Sequence, residues 1–326
     1  MKIRRTLEKL SVLLLITFVM FSCEPEKDVF TAFEVEGIDV NEVLDELVED
    51  SQKFDCESDM LQQLITSNET IITIPANVFQ TKSGAGVSGV INLEVRELYS
   101  KGEIFLNQVP TVSDGRLIAS DAVIHISATK DGEELELIPG KQIQLQVPND
   151  NPEDKMELFY GDENSRETFD WVEADGDEST WDNVQQNEWI INDTLEGAWG
   201  FGYDCFPEEL DWINIDVFVD VPEDQKTSVC VELPEIYTNK NTVVSMVFKD
   251  INSVVGFVGK PDEMQFCEPY GLTPLGYDVT FLVFSAQEED LFHFATLDAT
   301  ITENLVVNIL PEEKSKEEIK MILEGL

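Results

Sequence analysis

Short runs of alternating apolar and polar residues follow one another along the chain from residue 70 onwards. This period of two is typical of β-strands with one buried face, and turn-forming Gly, Pro, Asn or Asp residues bound the runs. In the first half, the predicted strands are 71–75, 87–97, 103–109, 122–129, 134–138 and 142–147. In the second half, they are 212–220, 227–233, 243–248, 254–258, 278–285, 290–300 and 305–310. Strands this closely spaced, without long helices between them, predict an all-β fold of two antiparallel β-sandwich domains.

A short helix is predicted on each side of this β region. Asp39 with Glu42, and Ser315 with Glu318, have the spacing of a capping box, in which each side chain bonds the other residue's backbone N–H. Apolar residues follow both pairs at helical spacing. The sequence therefore predicts a short N-terminal helix and a C-terminal helix.

The first 23 residues have the pattern of a secretory leader. Basic residues within the first five positions precede an apolar run over 10–21, and Ser22-Cys23 follows it. The run is too short to span a bilayer as a mature helix. Ser22-Cys23 resembles the lipobox of bacterial lipoproteins, although Met20 stands where that family more often has Leu. The resemblance implies that Cys23 becomes the lipidated N-terminus; the alternative is a plain secretion signal followed by an unrelated cysteine.

Charge narrows the range of partners. The chain has 66 acidic and 21 basic residues, a formal charge of −45. Nucleic acid is excluded as a direct partner, because phosphate binding needs Lys and Arg surfaces. Removal of residues 1–22 would leave 17 basic and 65 acidic residues. Anionic lipids would repel such a body, so we expect the lipid on Cys23, and not the protein surface, to hold it at the membrane.

Two further resemblances point to the bacterial cell surface. Glu24, Glu26 and Asp28 follow Cys23 and resemble the acidic export signal of Bacteroidota-type surface lipoproteins, although Pro25 interrupts the acidic residues. The span 71–148 is similar to ectodomains of uncharacterised lipoproteins of that group, with Ile-Pro before a glycine-containing strand at 86–93, a Ser-Asp-Gly turn, and Pro-Gly before a strand ending in Pro. A weaker similarity to the sandwich domains of ankyrins and netrin receptors covers the same span. These resemblances imply a fold and an outer-membrane or cell-surface location, and they bring no catalytic residue.

The predicted organisation has six parts. They are a lipoprotein signal peptide (1–22), a lipidated tether with a short helix (23–69), a first β-sandwich unit (70–149), an acidic Trp-rich connecting segment (150–210), a second β-sandwich unit (211–311) and a C-terminal helix (312–326).

Four cysteines remain beyond Cys23, an even number in a chain expected to cross an oxidising compartment. Cys230 falls on the polar side of its strand, where burial would stabilise it little, and Cys267 precedes a loop without a strand of its own. We therefore predict a Cys230–Cys267 disulfide, with Cys56–Cys205 as the remaining pair. The alternative is unpaired buried cysteines, which are common in sandwiches.

All five tryptophans lie within 42 residues: Trp171, Trp181, Trp189, Trp199 and Trp212. Exposed aromatic faces stack on sugar rings, so the cluster could form a ligand platform for a glycan. Tryptophan is also usually mostly buried, and five in a connecting segment would fill a junction between the two β units. The sequence favours the junction and leaves the platform open.

Calcium is the one cofactor that the sequence suggests. Asp162, Asp175 and Asp177 place hard oxygen ligands close together in the acidic segment. The loop that begins at Asp175 lacks the glycine at the sixth position and the glutamate at the twelfth position that an EF-hand requires. The alternative is a simple solvated acidic loop.

Catalytic signals are weak. His125 and His293 are the only histidines, each on a predicted strand, and neither lies in a nucleophile motif such as G-x-S-x-G. His125 is expected to point away from the core without a signalled partner. We therefore predict no enzyme, but a lipid-anchored envelope or cell-surface protein with a non-enzymatic binding or structural role and a glycan or envelope protein as partner. The alternatives are a carbohydrate-binding accessory lipoprotein that uses the Trp-rich segment and, more distantly, a glycosidase.

Overall fold

The computed structural model describes residues 38–162, 169–174, 184–190, 199–260, 264–288 and 290–326. They fold mostly into β-strands. The strands up to residue 218 are β1 (Gln52–Glu57), β2 (Gln62–Ile65), β3 (Ile71–Ile74), β4 (Phe79–Thr81), β5 (Val90–Leu98), β6 (Val112–Ser113), β7 (Arg116–Lys130), β8 (Glu133–Leu137), β9 (Gln144–Pro148), β10 (Glu157–Asp162), β11 (Asp170–Glu173), β12 (Val184–Ile190), β13 (Trp199–Cys205) and β14 (Asp211–Phe218). The later strands are β15 (Lys226–Thr227), β16 (Val229–Glu232), β17 (Thr242–Phe248), β18 (Val254–Gly256), β19 (Val258–Lys260), β20 (Gln265–Cys267), β21 (Thr273–Pro274), β22 (Asp278–Glu288), β23 (Leu291–Thr300), β24 (Leu305–Asn308) and β25 (Glu312–Lys314).

In the described residues, three short α-helices accompany the strands: α1 (Val40–Asp45), α2 (Lys101–Leu106) and α3 (Lys316–Leu323). The predicted N-terminal and C-terminal helices are confirmed. Ser315 and Glu318 form the predicted capping box at α3. At α1, Asp39 accepts from the backbone N–H of Asn41 at 3.0 Å, so Glu42 is not its partner. None of the described helices is long and apolar enough to cross a bilayer.

The strands form four larger sheets and one small one. A nine-stranded sheet has the central order β1-β5-β7-β14-β10-β11, with β4, β6 and β8 attached to it. The other orders are β12-β13-β9-β3-β2, β19-β20-β16-β24, β18-β17-β22-β23-β25 and the pair β15-β21. Pairing is antiparallel, as predicted, except that β16 and β24 run parallel. The expectation of purely antiparallel sheets is therefore corrected at this one pair.

Three apolar clusters fill the spaces beside these sheets. The first contains Ile124 of the nine-stranded sheet and Leu145 of the β9-containing sheet. The third contains Val231 of the β16-containing sheet and Phe281 of the β22-containing sheet. The second cluster, which we call the junction core, joins residues from both halves of the chain with all three helices. Its members include Leu44, Leu98, Phe105, Phe159, Leu282, Phe284 and Ile319.

One predicted strand is wrong. The sequence predicted a strand over 103–109, and the structure has α2 at Lys101–Leu106. Ser100 begins the helix because its hydroxyl accepts from the Glu103 N–H at 3.2 Å, while the Glu103 carboxylate accepts from the Ser100 N–H at 2.8 Å. This capping box closes the first helical turn and overrides the local apolar alternation.

Three segments predicted without strands contain them, and one of these is 312–326, which contains β25. Within 23–69, β1 belongs to the nine-stranded sheet and β2 belongs to the β9-containing sheet. Within 150–210, β10 and β11 extend the first of these sheets, and β12 and β13 extend the second. β14, which was placed in the second β unit, pairs with β7 along its whole length and with β10. β14 itself was predicted as a strand, whereas β1, β2 and β10 to β13 escaped prediction because several are sheet edges whose polar side chains face water and hide the alternation.

Candidate functional site

The predicted Cys230–Cys267 disulfide is confirmed. The two residues face each other across the antiparallel pair of β16 and β20, with their Cα atoms 4.1 Å apart. On the same strand, Val229 and Val231 are buried, and Cys230 lies on the less buried face between them. The distribution of apolar residues along β16 thus identified the correct side for the cross-link.

The second predicted disulfide is wrong, because Cys56 and Cys205 are both free and buried. Both belong to the first apolar cluster. Cys56 lies on β1, opposite Ile91 of β5 in the nine-stranded sheet, whereas Cys205 lies on β13, opposite Leu145 of β9 in the other sheet. Burial raises the pKa of both thiols, which act as small apolar side chains.

The three tryptophans whose side chains the structure describes are buried. Trp171 is 1% exposed, and its indole N–H donates to the Pro110 carbonyl at 2.9 Å. Trp171 and Trp212 belong to the junction core, and Trp189 is also buried. These three side chains are therefore core residues, as the junction interpretation expects, and they do not present exposed ring faces to solvent. Trp181 and the side chain of Trp199 lie outside the described residues.

The suggested calcium ligands do not come together in the described part of the chain. Asp175 and Asp177 lie outside it, and Asp162, half-buried at the end of β10, faces Asp170 of β11. Within the described residues, no group of three or more His, Cys, Asp or Glu side chains is placed to hold a metal ion.

The two histidines have ordinary polar partners. His125 Nε2 lies 2.8 Å from Asp211 Oδ1, and its ring packs 4.7 Å from the Trp212 ring, so the expectation of a partnerless histidine is corrected. The His125 hydrogen bond lowers the pKa of the Asp211 carboxyl. His293 Nδ1 lies 2.9 Å from the Tyr237 hydroxyl. These contacts hold strand ends and turns in place.

A buried polar network, which the sequence reasoning missed, crosses the centre of the nine-stranded sheet. Ser120 donates to Asn214 Oδ1 at 2.6 Å, and Asn214 Nδ2 donates to Asp216 Oδ2 at 2.6 Å. All three side chains are buried. From the second half, Asn252 Nδ2 donates to the Ser120 carbonyl at 2.7 Å. The network therefore fixes β7 and β14 against the turn before β18, and the polar alternation of Asn214 and Asp216 was its only sequence signal.

A β-bulge lies beside this network. The register between β7 and β14 shifts at Ile215/Asp216, which leaves Asp121 of β7 unpaired in the ladder. The Asp121 carboxylate accepts from the Tyr203 hydroxyl, and from Asn149 Nδ2 at 2.9 Å. Burial raises the pKa of Asp121, and burial raises the pKa of Asp216 well above its usual range. Asp216 Oδ1 has no hydrogen-bond partner in the described part of the chain.

Asp216→Asn is expected to change how stability depends on pH. A raised carboxyl pKa means that the folded chain keeps a proton that the unfolded chain releases near pH 4. The stability of the parent should therefore fall, relative to Asp216→Asn, as pH rises from about 4 to 7, by at most about 1.4 kcal/mol per pH unit. Urea unfolding across this range measures it, with exposed Asp220→Asn as the control. Parallel pH profiles for the parent and Asp216→Asn would contradict the assignment.

The clearest candidate binding surface is the free edge of β24. β24 ends its four-stranded sheet, and no described strand pairs with its outer side. The N–H of Ile309 donates inward to the Glu232 carbonyl at 3.2 Å. Because successive peptide groups of a strand alternate in direction, the backbone groups of Val306 and Asn308 face outward. Val306 is 45% exposed and Leu310 is 72% exposed.

An apolar groove of ≈ 460 Å³ continues this edge. The ends of β16 and β24 and the start of β20 line it, with Leu233, Pro234, Met264, Ile309 and Leu310 as apolar lining residues. Met264 and Leu310 are mostly exposed, whereas Leu233 and Ile309 form its buried floor. We call the outer side of β24 and this groove the β24 surface.

The amino-acid sequence was also compared with known proteins. No protein family matches it, and no curated protein sequence is similar to it.

Proposed function

We propose that this chain is a lipid-anchored envelope or cell-surface protein with a non-enzymatic binding or structural role. The leader pattern over residues 1–22 and Ser22-Cys23 support export and lipidation. A body with a charge of about −48 after cleavage needs such an anchor, because anionic lipid repels it. The acidic residues after Cys23 support transfer to the cell surface.

One structural observation carries the proposed location. Cys230 and Cys267 form a disulfide across two neighbouring strands. Disulfides persist in the periplasm and outside the cell and are rare in the cytosol. The cross-link therefore supports the same destination as the leader, on independent chemical grounds.

For the body, we propose two β-sandwiches that meet at the junction core. The first apolar cluster, with residues of the nine-stranded and β9-containing sheets, supports one sandwich. The third cluster, with residues of the β16-containing and β22-containing sheets, supports the other. Trp171 and Trp212 then belong to the contact between the sandwiches and not to a sugar platform. The β24 surface supports a binding role, because it leaves backbone hydrogen-bonding groups and apolar side chains open to solvent.

Cys23→Ala tests the anchor. In metabolic labelling with a radioactive fatty acid, the parent should incorporate label, and Cys23→Ala should incorporate none because it lacks the acylated thiol. Cys56→Ala removes a free cysteine elsewhere and should keep the label, which makes it the matched control. Label that persists in Cys23→Ala would refute the lipoprotein proposal.

Deletion of residues 24–28 tests surface export. If Glu24, Glu26 and Asp28 direct the chain outward, the deleted form should stay lipidated but become resistant to protease added to whole cells. Replacing the three acidic residues by Gln and Asn is the control that keeps chain length. Unchanged protease accessibility in both forms would show that these residues carry no export signal.

A further inference from the structure

We propose that the β24 surface binds an extended segment of another protein, which adds as a strand to the β24 edge and carries basic residues on both sides of an apolar centre. The proposal rests on the binding role proposed above, but it does not depend on the lipid anchor. It names one surface and one chemical class of partner.

The open backbone of β24 specifies an extended partner. The outward-facing backbone N–H and C=O groups of Val306 and Asn308 repeat at every second residue, as on any strand edge. Another extended strand can form hydrogen bonds with all of them. Proteins usually protect such an edge with charge, proline or a covering element. Three other edge strands follow that rule, since β1 carries Lys53, β11 carries Glu173 and β25 carries Glu312, whereas the edge strands β2 and β18 carry no charged residue. The β24 edge carries no charge between Glu303 and Glu312.

The groove specifies apolar side chains at the end of that partner strand. The groove lies at the end of β24, with Leu310 at its rim and Leu233 and Ile309 on its floor, so it would receive apolar side chains that follow the paired part of the partner strand. Covering Leu310, which is 72% exposed, would remove its apolar surface from water. The groove thus supplies side-chain contacts beyond the backbone pairing.

Charge complementarity specifies the ends of the partner. In the sequence, Glu303 precedes β24 and Glu312 follows it as the first residue of β25, and both are exposed. Neither joins an ion pair within the described part of the chain. A partner with Lys or Arg on both sides of its apolar centre would neutralise them. A second copy of this chain would instead bring another strongly negative body to the surface, which opposes self-association at low salt.

The test uses the purified full-length protein in detergent and a fluorescent synthetic peptide of about ten residues, long enough to cover the edge. The peptide has Lys at both ends and Val alternating with Thr between them. Anisotropy should show saturable binding that weakens as salt rises. A second peptide has the same sequence but carries methyl groups on the backbone nitrogens of its central residues. It should bind at least about tenfold more weakly, because neither of its edges can pair through the backbone. A peptide with Glu in place of Lys should also bind more weakly.

Leu310→Ser and Leu61→Ser form a matched pair of variants. Leu310 is 72% exposed and Leu61 is 67% exposed, so both variants should fold. Of the two leucines, only Leu310 lines the groove. Leu310→Ser should weaken peptide binding about tenfold, and Leu61→Ser should leave it within about twofold.

Three results would overturn the proposal. The first is that the N-methylated peptide binds as tightly as the unmodified one. The second is that Leu310→Ser and Leu61→Ser change peptide affinity equally. The third is that the peptide does not bind, while sedimentation shows a dimer that Leu310→Ser dissociates. The last result would assign the edge to a second copy. Lipid labelling of Cys23 is read separately, so a failure of the anchor and a failure of this surface are distinguishable.

Discussion

Trp171→Ala is expected to lower the free energy of unfolding by about 3–5 kcal/mol. The indole is almost completely buried in the junction core, where it packs edge-on against Phe169 with ring centroids 4.9 Å apart. Truncation would leave a cavity in the junction core and leave the Pro110 carbonyl without its indole donor. Chemical denaturation monitored by far-UV circular dichroism measures the change.

Val172→Ala is the matched control for this variant. Val172 is the next residue on β11, points to the opposite face and is 52% exposed, so its truncation should cost about 0.5 kcal/mol or less. If Trp171→Ala and Val172→Ala were equally stable, Trp171 would not contribute to a junction core, and the proposed contact between two sandwiches would lose its main support.

Replacing both Cys230 and Cys267 by Ser is expected to lower the free energy of unfolding by about 3–4 kcal/mol, because the cross-link restricts the unfolded chain. The cysteines are 37 residues apart in sequence and lie opposite each other in the sheet, so the folded strands keep their backbone pairing without the bond. Thermal or urea unfolding with and without reductant gives the measurement.

Reductant supplies the internal control. It should destabilise the parent and Cys56→Ala, which both retain the cross-link, and it should leave the double Ser variant unchanged. If reductant destabilised the double Ser variant as much as the parent, the stabilising disulfide would involve other cysteines. That result would contradict the assignment.

The sequence predicted the strands whose apolar side chains alternate strongly, and the physical reason is simple. On β7, Ile124, Ile126 and Ala128 face the first apolar cluster at a period of two, which fixed both the strand and its face. Between β7 and β8, Asp131 and Gly132 both adopt the positive φ that a tight hairpin turn requires, and this dipeptide is typical of such turns. Pairing partners and sheet order were not predictable, because alternation says nothing about which strands meet.

The remaining features depend on long-range packing that local patterns do not contain. Asn214 and Asp216 have the alternation of a solvent-facing strand side, but both faces of the nine-stranded sheet are covered, so these side chains are buried. Cys230 could be assigned from its own strand, whereas the state of Cys56 and Cys205 depends on how strands of two different sheets are placed, which no local pattern contains. The β24 edge was also unpredictable, since an unpaired edge is defined by the neighbours that a strand lacks.

Intact mass spectrometry of the protein extracted from its native membrane tests the central proposal most directly. The account predicts a chain that begins at Cys23, carries the mass of attached acyl groups, and has lost two hydrogens to one disulfide. A chain that retains residues 1–22, or that is cleaved at another residue and carries no lipid, would contradict the proposed lipid-anchored protein.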